Sequence, residues 1–210
     1  MATSPSQAAI GPVGLTIKTN GKAIPDTLGV LSVKTDAKAD GHAKAWIRVE
    51  AGSLASNEFP IVDGPVFKPG NKISIAAFYG SGADQPLFEG VITALRFLFV
   101  QGEPLAEVQC AQEVAPPTPQ LSDPVLTITA GVDMLDCDLG LEGDASETFA
   151  KVSGSVTFPG SGLAKPGTTL EIGGLGTRFN GSALVLGVLH TLRAGEWTTV
   201  AVFGSAADAD

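Results

Sequence analysis

The sequence predicts an all-β protein, and three observations predict it. Apolar and polar residues alternate with period two through most of the chain. Glycine and proline, 26 and 14 of 210 residues, fall between these runs where turns are needed. No segment of a dozen residues shows an apolar period of 3.6. About a dozen strands at the regular spacing of barrels or sandwiches are expected. The one place for a short helix is residues 52–59.

The elements follow in chain order. Asn20-Gly21 suits a tight hairpin, whose two central residues need positive φ. A strand is expected over 30–35. Over 42–50, Ala43, Ala45, Ile47 and Val49 share one face, while His42, Lys44, Trp46, Arg48 and Glu50 share the other. Lys68-Pro69-Gly70 reads as a turn, with proline presetting φ and glycine taking the left-handed position. Next, 71–79 places Ile73, Ile75, Ala77 and Tyr79 on one face. Residues 115–124 hold four prolines in ten, a stiff extended linker. Beyond it lie strands over 126–130, over 136–142 (Cys137, Leu139 and Leu141 alternating with Asp136, Asp138, Gly140 and Glu142), and over 151–158. A second Lys-Pro-Gly turn stands at 165–167.

Composition excludes several function classes. With 13 Lys plus Arg against 22 Asp plus Glu, the formal charge is −9, opposite to what duplex nucleic acid or an anionic lipid surface attracts. The 44% apolar content is too high for a disordered chain. No apolar run approaches the roughly 18–20 residues of a membrane-spanning helix. The strongest, 91–100, is short and contains Arg96. The first residues lack the basic start and apolar stretch of a secretory signal, so folding in the cytoplasm is expected. Two cysteines, Cys110 and Cys137, make no disulfide framework. With His42 and His190 scattered, they make no structural zinc site.

An internal repeat is visible. A shift of 97 residues lays Lys68-Pro69-Gly70 on Lys165-Pro166-Gly167, and Ile73 and Ile75 on Leu170 and Ile172. It lays Gly90-Val91 on Gly187-Val188, and Leu95 on Leu192. The strand at 30–35 falls near 126–130 at about the same offset. Coincidence among Gly- and Val-rich strands is the competing explanation, but the constant shift across 68–95 favours duplication. Two small β-domains are expected, 12–113 and 125–205, with the proline-rich linker 114–124 between them and an acidic tail at 206–210. Residues 12–113 carry nine basic and eleven acidic side chains, and 122–205 carry four and nine, so the second half is the more acidic.

Candidate chemistry is sparse. Asp133, Asp136, Asp138, Glu142, Asp144 and Glu147 form an acidic run, but started from Asp136 the sixth position of a calcium loop is Leu141 instead of glycine. A looser calcium site competes with the solvated face of a strand, and the alternation favours the strand. His190 lies in a strand-like run without a nucleophile signature nearby, which points to a structural or interface histidine. His42 is expected to be exposed. Gly173-Gly174 and Gly176 precede no Lys-Ser/Thr and no helix, so close backbone approach or a bulge is expected instead of a phosphate loop. Trp46 and Trp197 are single aromatics, too few for a stacking platform, and Trp197 is a candidate packing anchor. No catalytic, cofactor-binding or metal-ligating residue is assigned, and no enzyme activity is expected.

Two stretches carry a family resemblance. One runs from Ala164-Lys-Pro-Gly through Leu170-Glu-Ile-Gly-Gly-Leu-Gly, Val185-Leu-Gly-Val-Leu-His190 and Gly195-Glu-Trp-Thr-Thr to Phe203-Gly204. It resembles the end of the hub region of VgrG proteins, the spike proteins of type VI secretion, and of phage tail hub proteins. The other holds Phe67-Lys-Pro-Gly, Ile73-Ser-Ile, Leu87-Phe-Glu-Gly-Val-Ile and Gly102-Glu-Pro-Leu-Ala-Glu-Val-Gln-Cys110, and is similar to the start of that region. Residues 125–150 fit the opening of its second barrel.

The resemblance implies two tandem tube-protein-like β-barrels per chain and a baseplate hub of a contractile injection system. Three chains would form a pseudo-sixfold ring joining the inner tube to a central spike. The implied partners are two further copies, a tail tube protein, a spike protein and other baseplate proteins, with no nucleic acid, membrane or cofactor. Assembly in the cytoplasm and incorporation into a phage tail or injection particle are implied. Family members usually carry further domains between the barrels and a spike after them. Here the linker stands in place of the former and the sequence given ends at Asp210, so the spike is expected on a separate chain or beyond this fragment. A tail tube or tube-initiator protein of the same fold is the alternative. A β-sandwich hydrolase or carbohydrate-binding module is a weaker one, because Trp46, Trp197 and Tyr79 are the whole supply of Trp and Tyr.

Overall fold

A computed structural model describes residues 2–52, 59–100, 103–113, 122–142, 151–176 and 179–204. Among these residues the chain forms thirteen strands and two four-residue helices, α1 (Pro5–Ala8) and α2 (Pro60–Asp63). The first half holds β1 (Val13–Thr19), β2 (Lys22–Ala23), β3 (Val30–Lys38), β4 (His42–Glu50), β5 (Lys72–Tyr79), β6 (Gln85–Val100) and β7 (Glu103–Glu113). The second holds β8 (Leu126–Thr129), β9 (Asp136–Glu142), β10 (Lys151–Pro159), β11 (Thr169–Gly173), β12 (Gly181–Arg193) and β13 (Glu196–Gly204). The protein is all-β, as its alternation requires. The helix expected over 52–59 falls largely outside the described residues, and α2 follows it. Most of the proline-rich linker and the whole tail 206–210 also lie outside them.

Local chemistry places the turns. Asn20 and Gly21 take φ of 48° and 80° between β1 and β2, and Ala194 and Gly195 take 52° and 79° between β12 and β13. Positive φ at both centres matches the right-handed twist of the flanking strands. Gly70 and Gly167 take φ of 93° and 85°, closed by Asn71 N–H to Lys68 O and Thr168 N–H to Lys165 O.

Each half has its own hydrophobic cluster. Ile47, Ile75, Phe67 and Val108 centre the first, and Phe158, Leu170, Val185 and Phe203 the second. Alternation is the cause in both. Ala43, Ala45, Ile47 and Val49 of β4 are buried while His42, Lys44, Arg48 and Glu50 are exposed. One sheet nevertheless runs through both halves, in the order β2-β1-β5-β6-β7-β4-β3-β12-β13-β10-β9, with β11 on β12 and β8 on β11. The ladder between β3 and β12 makes it continuous, from Gly187↔Lys38 to Arg193↔Ser32. The halves are therefore joined by backbone hydrogen bonds as well as by the linker.

The pairing shows the duplication and corrects its alignment. The path β5-β6-β7-β4-β3 recurs as β11-β12-β13-β10-β9. The shift of 97 holds at the Lys-Pro-Gly turn and from β5 to β11. It fails beyond. Lys72 pairs with Val91, 19 positions on, but Thr169 pairs with Leu184, only 15 on. The second hairpin is four residues shorter, so β6 corresponds to β12 at an offset of 93. At that offset the ladders coincide, including the bulge, which lies between Ile92 and Ala94 in one and between Val185 and Gly187 in the other. Gly90-Val91 thus corresponds to Ala183-Leu184 instead of Gly187-Val188, and Leu95 to Val188 instead of Leu192. The strand match is also corrected. β3 corresponds to β9, its equal in the path, and not to β8, which pairs in parallel with β11. A gapless comparison cannot register a change in hairpin length.

Candidate functional site

The seam between the halves is the most developed site. β3 and β12 alternate so that Val33, Thr35, His190 and Leu192 turn into the buried side. Next to the ladder, Trp197 of β13 leaves the second half and packs in the first half's cluster. Its ring stacks on Tyr79 at 5.2 Å and 21°, and His190 lies tilted at 6.0 Å. The Tyr79 hydroxyl donates to the Trp197 carbonyl at 3.3 Å, and the Gly160 N–H donates to the same oxygen at 2.8 Å. Gly162 N–H donates to Gln85 Oε1 at 2.7 Å. A Cβ at Gly160 would stand 2.0 Å from the Trp197 ring, so the ring fits only because that residue is glycine. Among the described residues no acceptor reaches Trp197 Nε1.

Both histidines line one cleft of about 390 Å³ at this seam, with Lys38, Glu89, Lys165 and the Phe88 ring. Their environments differ. His42 is exposed at the start of β4. His190 is buried, with Nδ1 2.9 Å from Thr199 Oγ1. Burial, assisted by the positive Lys165, pushes its pKa down to about 3, so the ring stays neutral. The neutral imidazole is thus packed inside the seam against a threonine hydroxyl.

The acidic run divides. Asp133 is buried and anchors the N-terminal segment on the second half. Its carboxylate accepts from the Ser4 hydroxyl, from Ser6 N–H at 3.2 Å and from Thr129 N–H at 3.3 Å. Burial pushes its pKa up, but these hydrogen bonds outweigh burial and hold it below the usual carboxylate value. Asp136 and Asp138 stand exposed on β9. The Glu142 side chain, Asp144 and Glu147 lie outside the described residues. Gly174 has φ of 79° and lies so close to Ala130 that a Cβ would meet its backbone N at 3.0 Å, the close approach expected of this glycine pair. Trp46 lies under the Lys34 ammonium at 5.7 Å, and Trp197 is the packing anchor. Cys110 is buried and its thiol pKa is pushed up to about 12 by burial, whereas Cys137 is exposed.

Besides the outer sides of β1–β2 and β8, two edges of the sheet lack a neighbouring strand among the described residues. One is β9, which ends the sheet. The other is the outer side of β6 over 94–100, beyond the end of β5. Phe97, Phe99 and Val100 are exposed there. In the sequence, 91–100 reads as a failed membrane span, with Val91 and Leu95 also in the repeat. Its apolar residues on both faces are the sequence sign of the exposed apolar stretch found there.

The fold of this duplicated sheet is that of phage tail and injection-system proteins. A tail protein from Neisseria meningitidis MC58 matches with a TM-score of 0.62 at 8% identity, over 93% of this chain and 97% of that one. The 43 kDa tail protein of prophage MuSo2 from Shewanella oneidensis matches at 0.62 and 7%, over 90% and 95%. The E. coli c3393 protein, a component of the type VI secretion system with structural similarity to the T4 tail proteins gp27 and gp5, matches at 0.55 and 11%, over 89% and 76%. By sequence the chain belongs to the family described as the Alg8 N-terminal domain, matched over residues 9–123 and 143–194. No curated protein matches it in sequence.

Proposed function

We propose that the chain is a structural baseplate hub of a contractile injection system or phage tail. Three copies form a ring of six similar halves and adapt a sixfold inner tube to a threefold spike. The observation that carries this reading is the duplication. Two halves repeat one strand path with one bulge and meet edge to edge, as successive units of a ring would. The tail proteins that share the fold support it. So does the seam, where Tyr79 and His190 are held by a backbone carbonyl and a threonine hydroxyl. We read the chain as a non-enzyme in the organisation 12–113, linker 114–124, 125–205 and tail 206–210. Its partners are a tube protein on one side, a spike protein on the other and further baseplate proteins. It assembles in the cytoplasm and ends in the particle.

The test is the mass in solution and a particle image. A trimer, alone or on adding tube and spike proteins, with a ring of six similar densities is the expected result. A monomer at micromolar concentration that does not assemble with either partner overturns the reading. A hexameric mass would move it to a tail tube or tube-initiator protein.

A further inference from the structure

Among the described residues, the open edges of β9 and of residues 94–100 are the equivalents of the two edges joined at the seam, and the chain itself shows how such edges join. Val108 and Ala201 are equivalent positions of β7 and β13 at the offset of 93. Val108 pairs with Ile47, which pairs with Val33. Ala201 pairs with Val156, which pairs with Cys137. Cys137 of β9 therefore stands where Val33 stands in β3. Val33 pairs across the seam with Leu192, whose equivalent in β6 is Phe99. By the same steps Leu139 stands for Thr35, and Phe97 for His190.

Exposure follows the missing partner. Leu192 and His190, covered by β3, are 5% and 4% exposed, whereas their equivalents Phe99 and Phe97 are 58% and 46% exposed. Val33 is fully buried and Cys137 is exposed, although Cys137 lies opposite the buried Val156 on the core side of its sheet. Phe97, Phe99, Cys137 and Leu139 thus sit on core-side positions with no strand paired across from them among the described residues, and Phe97 meets the edge-on Phe59 ring at 5.3 Å.

Resting on the hub reading, we propose that β9 of one copy pairs antiparallel with residues 94–100 of β6 in the next, in the register Phe97↔Leu139 and Phe99↔Cys137. The occupant of each edge is a second copy of this chain. Core-side positions then meet apolar to apolar, as Val33 and Leu192 do across the seam. On the opposite face Arg96 falls diagonal to Asp138, within the reach of a cross-strand charge pair. The contact is head-to-tail: the second half of one copy receives the first half of the next. A ring closes such a contact and leaves no edge of this kind exposed.

The test uses the full chain carrying Phe99→Cys. At the concentration where the unmodified protein has its assembled mass, mild oxidation joins the introduced thiol to Cys137 of the next copy, giving linked dimers and trimers on a non-reducing gel. Directly opposed strand positions bring Cα atoms within disulfide reach. Leu98→Cys, aimed at the other face, does not link. Phe99 is exposed, so the substitution leaves the folded half intact. In the unmodified protein, Cys137 alkylates quickly when diluted to monomer and at least tenfold more slowly when assembled. A trimer in which position 99 does not link, or in which Cys137 alkylates as fast as in the monomer, overturns the ladder and leaves the hub reading standing. A protein that remains monomeric with its partners overturns the hub reading, and the ladder with it. Linking into closed rings of another number keeps the ladder and overturns the trimer.

Discussion

At the scale of single residues, two local environments set measurable behaviour. His190 is neutral when folded, with a pKa near 3 against the ordinary 6.5. The unfolded chain therefore binds the extra proton between those values. The stability that this group supports is complete above pH 6.5 and falls steadily as pH drops towards 3. Urea midpoints should fall between pH 7 and pH 5, and His190→Gln should reduce that fall. An equal fall in the variant would assign the pH dependence to other groups. Gly154 has φ of 144°, and a Cβ there would stand 2.0 Å from the Asp138 carbonyl oxygen. Gly154→Ala should cost about 1–3 kcal/mol through clash and backbone strain, read as a lowered denaturation midpoint. An unchanged midpoint would show that β9 yields at no cost.

At the scale of elements, packing between strands decides more than propensity does. Trp197 joins β13 to the first half's cluster. Trp197→Ala should cost about 3–5 kcal/mol. It should also loosen amide protection in β3 and β12 more than in β9, which lies far from the seam in strand order. Equal loosening everywhere would mean the residue is not specific to the seam. The N-terminal segment, with α1, is tied to β8 by Asp133. Asp133→Ala should speed amide exchange at residues 4–10 and cost about 1–3 kcal/mol for the donors left unpaired. Because the folded pKa is below the usual value, this tie is complete above the ordinary carboxylate pKa near 3.8 and is lost as pH falls through the lower, folded value.

At the scale of the whole molecule, the β3–β12 ladder makes two halves into one sheet. Strands β4 and β7 of the first half and β10 and β13 of the second should lose amide protection at one denaturant concentration. Two separate transitions would show that the seam is weak against each half's own core. The strands, the Asn20-Gly21 and Lys-Pro-Gly turns, and the packing role of Trp197 were legible because each rests on local pattern: alternation, positive φ, or a single large ring. The seam was not legible. Nothing local tells β3 that its second neighbour is β12, more than 140 residues on. Nor does a gapless comparison see that one hairpin is four residues shorter than the other.

The sequence by itself determined that the protein is all-β, that its halves are related, and where its chain must turn. Period-two alternation and glycine-rich turns act within a few residues, so they are written locally. Tertiary structure alone decided which edges are covered and which remain open, because strand pairing is a long-range choice of partner. It placed Leu192 against Val33 and, among the described residues, left their equivalents Phe99 and Cys137 exposed on open strand edges.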